Sequence, residues 1–395
     1  MTLTRGQREA LQAICDTFVP AAEGLPSATD LAVPQALLQA VQASPRASER
    51  RRFAALLSAF AGRLDAARPR DGLRRFAGLP QAGRERALLG WCDSRMGPKR
   101  AAFQSLRTAI VSLSYISPGP DGPNPRWAAI GYPGPIGPPD PLPPRALTPM
   151  TVDADTTLDC DVCVVGSGAG GATAAAVLAD AGLDVVILEA GDHLEDADFD
   201  GAEAGAYARM YEGSAALATA DHSVGLLAGT CLGGGTVVNY STSFRTPDEV
   251  RREWTGMGAR GFASAEFDAS LDAVCERLGV NLDHNRPSSR ERIMRRGLDA
   301  LGWHVDAMPR NVVGCEQGRV CGSCGLGCRI GAKQSAVKTW LADAEAAGAR
   351  IFVRTRAERV VVRHAGVRGV ESRTREGHRV TVRARAVVAA AGALH

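Results

Sequence analysis

The sequence lacks the features that mark several large classes of protein. Its charge is nearly balanced, with 46 basic and 43 acidic side chains and a net charge of +3, so it carries no electrostatic footprint for nucleic acid. No run of about 18 uncharged apolar residues occurs, so no membrane-spanning helix is expected. The opening residues, Met1-Thr-Leu-Thr-Arg-Gly6, hold no apolar core of the kind a secretory signal has, and none is expected. Aromatic residues make up only 5 %, and no internal repeat is visible. Ten cysteines in 395 residues, without such a signal, read as reduced thiols or a metal site in a cytoplasmic setting, not as a disulfide scaffold. What remains is 45 % hydrophobic and 23 % charged, long enough for two or three domains with their own cores.

Composition divides the chain. Residues 1–117 are rich in Ala, Leu and Arg with helical periodicity. Thr4 and Gln7 fit a capping box, and Leu11, Ile14, Cys15 and Phe18 form an apolar stripe that Pro20 ends. Further helices are predicted near 33–43, 48–66, 80–92 and 99–113, with Arg50, Arg51 and Arg52 on a solvated face. Residues 118–150 form a connector that holds twelve prolines and five glycines. Proline lacks the donor that helices and inner strands need, so this segment is expected to be extended and draped on the next domain through Trp127, Ile130 and Tyr132. From residue 151 the pattern is strand–helix–strand, the mark of a doubly wound α/β domain. Strands are predicted at 161–165 and 184–188 around a helix at 170–181. Others are predicted at 350–354, 358–363, 367–374, 379–384 and 387–391, with turns at Gly366 and at Glu376-Gly377.

The strongest local signal is Gly166-Ser167-Gly168-Ala169-Gly170-Gly171, which leaves an apolar strand and opens a helix. Glu189 ends the next strand 23 positions after Gly166. In such a dinucleotide loop the first glycine makes the tight turn, the second admits a pyrophosphate, and the last lets helix and strand pack closely. The helix N-terminus favours the pyrophosphate, and Glu189 can accept from ribose hydroxyls while repelling a 2′-phosphate. A second cluster runs Gly229-Thr-Cys-Leu-Gly233-Gly234-Gly235-Thr236-Val-Val-Asn239. Three consecutive glycines clear every side chain where a flat ring system or a diphosphate must approach the backbone, which favours FAD over NAD.

Together with the closing Val387-Val-Ala-Ala-Ala391-Gly392-Ala, these motifs resemble the FAD-binding half of the glucose–methanol–choline (GMC) oxidoreductases. Four stretches resemble the long-chain fatty alcohol oxidase branch: Cys15-Asp-Thr-Phe-Val-Pro20, Trp127-Ala-Ala-Ile-Gly131-Tyr132, Asn239-Tyr-Ser-Thr-Ser-Phe-Arg245-Thr-Pro247 and Cys321-Gly-Ser-Cys324-Gly-Leu-Gly-Cys328-Arg-Ile-Gly-Ala-Lys333. The resemblance implies that Gly166, Ser167, Gly168, Ala169, Gly170, Gly171, Glu189 and Ala190 hold the AMP half of FAD. Gly229, Gly234, Gly235, Thr236 and Asn239 would line the flavin side, Val360 would meet the adenine, and Ala391 and Gly392 would make a third contact. It also implies oxidation of a long-chain primary alcohol to the aldehyde by hydride transfer to flavin N5, with oxygen or another acceptor taking the electrons. A non-catalytic FAD-binding fragment is the alternative. The partner is then a small-molecule alcohol, with peripheral membrane association through the N-terminal helices an open alternative to their packing on the flavin domain.

In that family the catalytic histidine lies in a segment beyond the Gly-Ala-Leu motif, whereas this chain stops at His395, so truncation is expected and no catalytic residue is assigned. His193, His222, His284, His304, His364, His378 and His395 are expected in turns or at the surface. Cys315, Cys321, Cys324 and Cys328 have the spacing C-x5-C-x2-C-x3-C. The favoured reading is small thiols packed in a tight turn, with an iron–sulfur cluster or zinc as alternatives.

Overall fold

A computed structural model describes residues 2–43, 47–62, 75–119, 121–219, 224–284, 286–317, 322–363 and 366–394. Two compact units emerge, one of residues 1–135, 202–208 and 212–227, the other of 136–201, 209–211 and 228–395. The first is helical: α1 (Arg5–Phe18), α2 (Val33–Ala43), α3 (Ala47–Ala61), α4 (Gln81–Cys92), α5 (Gly97–Ile116) and α6 (Pro125–Ile130). The capping box forms as expected, with Gln7 N donating to Thr4 Oγ1 at 3.3 Å and Thr4 N to Gln7 Oε1 at 2.8 Å. Apolar stripes from five helices close over Ile14, Leu57, Phe60, Trp91 and Ile110, and the Phe60 ring lies 4.9 Å from Phe76 and 4.6 Å from Trp91. Each such side chain contributes roughly 1.5–3 kcal/mol on burial. The predicted 48–66 helix runs to Ala61, and residues 63–66 lie outside the described set.

The proline-rich segment corrects two expectations. It contains a helix, α6, because Asn124 caps it by accepting from Arg126 N at 3.0 Å and Pro125 occupies the first turn, where its missing donor costs nothing. Its first half also docks on the helical unit, which the sequence reading did not expect. The Arg126 guanidinium donates to Pro20 O and Pro26 O, and Trp127 Nε1 donates to Tyr115 O at 2.5 Å, whereas Ile130 stays exposed. The second half lies along the other unit, where Ala146 N and Leu147 N donate to Glu195 at 2.6 and 3.1 Å.

The second unit opens with β1 (Thr156–Val165), α7 (Ala169–Asp180) and β2 (Val185–Leu188). Next come α8 (Glu203–Met210), whose first six residues belong to the helical unit, and that unit's short β3 (Leu217–Ala218) and β4 (Gly225–Leu226). The second unit resumes with α9 (Gly235–Val238), α10 (Asp248–Gly256), α11 (Ala265–Arg277), α12 (Ser289–Ala300) and α13 (Trp340–Ala346). It ends with β5 (Arg350–Phe352), β6 (Thr355–Arg363), β7 (Gly366–Thr374) and β8 (Arg379–Ala389). The sheet order is β5-β2-β1-β8-β7-β6, with β5, β2, β1 and β8 parallel and β7 and β6 antiparallel at one edge. The doubly wound α/β class is therefore present. All four residues of β2 are buried, as a parallel strand covered on both faces requires.

The two closing strands expected at 379–384 and 387–391 are one strand, β8. The gap expected between them holds Arg385, and Arg383 stands just before it. Both face β1 partners, with Arg385 3.1 Å from Asp161 and Arg383 3.6 Å from Asp159, while Val380, Val382 and Ala384 point inward. Likewise β1 begins at Thr156, five residues earlier than expected, because its polar first half pairs along β8 from Val380 onward.

Candidate functional site

Two glycine-bare turns, more than sixty residues apart in sequence, meet at the carboxyl ends of the parallel strands. β1 ends at Val165, and Gly166 turns the chain at φ +95°, a conformation that favours glycine. A Cβ there would lie 2.5 Å from Ala390 O, because the end of β8 closes on the turn through Ala390 N donating to Val165 O at 2.8 Å. A Cβ on Gly171 would lie 1.9 Å from Gly166 O, the close packing expected of that position. Gly168 and Gly170, in contrast, have nothing within 4 Å of a Cβ. Gly168 is the N-cap of α7, and having no side chain it leaves the first-turn amides uncapped; no acidic residue stands in that turn. These amides have no carbonyl partner inside the helix and sit at its positive end, an arrangement suited to a diphosphate.

The second turn is folded onto the first. Gly233 and Gly234 take φ +87° and +53°, and a Cβ on Gly229 would lie 2.5 Å from Gly234 C. A Cβ on Gly234 would lie 3.2 Å from Gly168 Cα. Ser167 joins the two turns: its Oγ accepts from Gly233 N at 3.0 Å and donates to Glu189 Oε2 at 2.5 Å. Glu189, buried at the end of β2, also accepts from Ser167 N at 3.2 Å and from Gly191 N at 2.7 Å. A carboxylate offers about four acceptor sites, so one remains for a ribose hydroxyl. The backbone thus fits FAD: bare amides at α7, a carboxylate beside them, and the open Gly235 beyond.

The other sequence-derived residues fall into three groups. Ala169, Gly170, Ala190, Ala391 and Gly392 flank the turns, and Ala391 Cα is 3.1 Å from where a Gly166 Cβ would be. Thr236 and Asn239 sit at either end of the short helix α9. Thr236 Oγ1 donates to Gly233 O at 2.6 Å and accepts from Ala336 N at 3.0 Å, while Asn239 Oδ1 accepts from Ser241 N at 3.1 Å. Val360 is not brought to the turns. It lies on β6, three strands from β1, where it pairs with Val370 of β7, and the β6 residue beside Glu189 is Thr355, whose N donates to Glu189 O at 2.7 Å.

Three residues gain roles that the sequence reading did not assign. Gly191 is required because its Cβ would lie 1.9 Å from Thr230 O, and Gly233 because of its positive φ; Gly233 stands inside the second glycine motif and Gly191 two residues after Glu189. Lys333 is buried, and its Nζ donates to Val237 O, Asn239 O and Cys324 O at 2.7, 2.6 and 2.7 Å. Burial pushes its ammonium down to about 8, partly offset by the nearby thiols of Cys324, Cys328 and Cys231. In the sequence Lys333 stands only as the last residue of the Cys321–Lys333 block, with no role of its own assigned.

The histidine expectation is corrected at His193, which is largely buried with Nε2 2.5 Å from Glu195 Oε1. His222, His364 and His395 lie outside the described residues. In the cysteine block Cys315, Cys324 and Cys328 are half-buried and Cys321 lies outside the described residues. Cys315 Sγ accepts from Gln317 N at 3.3 Å, and Cys328 Sγ from Lys333 N at 3.4 Å. Burial pushes the thiols of Cys15, Cys163 and Cys231 up to about 12. These three are therefore expected to resist iodoacetamide in the folded protein and to react only after unfolding, which peptide mass mapping with and without denaturant checks.

Known proteins bear on this site directly. Residues 207–395 match the GMC oxidoreductase model, residues 164–203 an NAD(P)-binding Rossmann-like domain, and residues 5–134 gluconate 2-dehydrogenase subunit 3. A long-chain-alcohol oxidase of Arabidopsis thaliana is 39 % identical over 248 residues, covering 60 % of this chain and 33 % of the relative. A second from the same plant is 33 % identical over 328 residues, covering 74 % and 43 %. An uncharacterized GMC-type oxidoreductase of Mycobacterium tuberculosis is 38 % identical over 248 residues, covering 62 % and 39 %. The chain thus spans between a third and under half of the length of these relatives. Residues 207–395 are thus the GMC oxidoreductase part of this chain, which within that family resembles the long-chain-alcohol oxidases.

Proposed function

We propose that this chain supplies the FAD-binding part of an oxidoreductase that converts long-chain primary alcohols to aldehydes. The observation that carries the reading is the junction of the two turns, where Ser167 links Gly233 to Glu189 beside the uncapped amides of α7. Bound there, FAD would accept hydride from the carbinol carbon. The chain's own part is to hold the diphosphate on the amides of Ala169, Gly170 and Gly171, to orient the ribose through Glu189, and to keep the flavin side bare at Gly234 and Gly235. None of the described histidines is offered as the base for the hydroxyl proton; His193 is already engaged by Glu195. The substrate class rests on the likeness to the two Arabidopsis oxidases. Among the described residues no helix is long and apolar enough to cross a membrane, and the described cysteines are free thiols, which supports a reducing, cytoplasmic setting.

The purified chain is expected to be yellow or to bind added FAD, and a long-chain primary alcohol added without oxygen is expected to bleach the flavin. Gly168→Ala separates binding from folding, since its Cβ meets nothing within 4 Å of protein. That variant is expected to unfold at the wild-type denaturant concentration but to bind FAD at least about tenfold more weakly, a loss of about 1.4 kcal/mol. A well-folded wild-type chain with no affinity for FAD would overturn the reading.

A further inference from the structure

Helix α9 is four residues long, too short to persist on its own helical bonds, yet it carries Gly235 and Thr236 and leads into Asn239. The segment 333–336 grips it from outside at both ends. At its start Ala336 N donates to Thr236 Oγ1. At its end the Lys333 ammonium donates to Val237 O and Asn239 O, carbonyls that the terminus of a helix leaves without partners. The third ammonium proton goes to Cys324 O, in the turn Cys324–Leu326, which is tied down a second time by Tyr211 OH donating to Gly325 O at 2.6 Å.

All three donors of Lys333 are therefore spent on main-chain oxygens, and its side chain is 3 % exposed. Burying an ammonium costs several kcal/mol, and a methionine of similar length would fill the space without that cost. What the ammonium supplies and methionine cannot is a fixed meeting point for three carbonyls from two separate loops. We propose that Lys333 is a positioning residue for the flavin side of the cofactor site: it holds the Gly235–Asn239 turn in the conformation that receives FAD. The proposal rests on the reading of that turn as the FAD site.

The test compares the wild-type chain with Lys333→Met, Lys333→Arg and Lys333→Ala, measuring FAD affinity, the visible circular dichroism of bound flavin, and the unfolding of the cofactor-free chain. Lys333→Met is expected to bind FAD at least about tenfold more weakly and to alter the visible dichroic band. A role in stability alone would shift the cofactor-free unfolding and leave that band unchanged. Lys333→Ala is expected to regain affinity when n-propylammonium is added, and to gain nothing from tetramethylammonium, which has no N–H to donate. Should the Met and Ala variants fail to fold, Lys333→Arg decides: its larger planar head is expected to keep the chain folded but to weaken FAD binding and shift the band. If the wild type binds FAD and the folded variants match it in affinity and spectrum, the positioning role is overturned while the FAD reading stands. If the wild type itself binds no FAD, it is that reading which fails, and this proposal falls with it.

Discussion

Gly171→Ala is expected to destabilise the cofactor-free chain by about 3 kcal/mol or more and to abolish FAD binding, at the upper end of what overpacking costs. Its added methyl would sit 1.9 Å from Gly166 O and 3.2 Å from Ala390 Cβ. The nearest obstacle is a backbone oxygen in a turn already held by Gly166 N donating to Leu188 O at 2.9 Å and by Ala390 N donating to Val165 O, so it cannot swing aside. Relief requires α7 to move away from β1, which pulls the first-turn amides out of line with the second glycine turn. The neighbouring Gly170→Ala is the control. Its Cβ meets nothing within 4 Å, and alanine is the better helix former by about 1 kcal/mol, so cofactor-free stability is expected to hold or rise. Urea unfolding of both variants checks the pair. Equal midpoints for Gly171→Ala and the wild type would mean that α7 does not pack on the turn as described.

Glu189→Ala is expected to cost about 2–5 kcal/mol and most of the FAD affinity, more than a surface carboxylate would. Its two oxygens accept three hydrogen bonds, from Ser167 N, Ser167 Oγ and Gly191 N, all in a buried setting. Truncation leaves those donors without acceptors and frees the Ser167 hydroxyl, which also receives Gly233 N and so joins the two turns. Glu189→Gln keeps the shape but presents one amide N–H to a group that itself donates, so an intermediate loss is expected. Denaturant unfolding and FAD titration of the two variants provide the measurement; a Glu189→Ala chain as stable as wild type would show that the carboxylate is not what binds the turns.

Much of this architecture was legible in the residues. All five helices expected before the proline segment begin or end within a few positions of where periodicity and caps put them, since a helix is decided by neighbours three and four apart. Where the reading failed, a contact remote in sequence had overridden a local cue. Residues 385 and 386 fall between two expected strands, yet Arg385 lies alongside Asp161 of β1, as Arg383 does alongside Asp159, and the strand runs on. His193 is a different case, since the partner that draws it inward, Glu195, stands only two residues away. In α6 the cue itself was local: Asn124 followed by Pro125 is a helix start that the density of prolines concealed.

The sequence alone determined that two glycine turns exist, that one opens a helix after a strand, and that a carboxylate ends the next strand, because turn chemistry and strand periodicity are properties of short stretches of chain. Only the tertiary structure decided that Ser167 would bridge Gly233 and Glu189, that Thr355 and not Val360 would lie beside that carboxylate, and that Lys333 would gather carbonyls from Val237, Asn239 and Cys324. Each of those meetings joins residues that are strangers along the chain, and long-range packing, not local preference, selects which buried polar groups find one another.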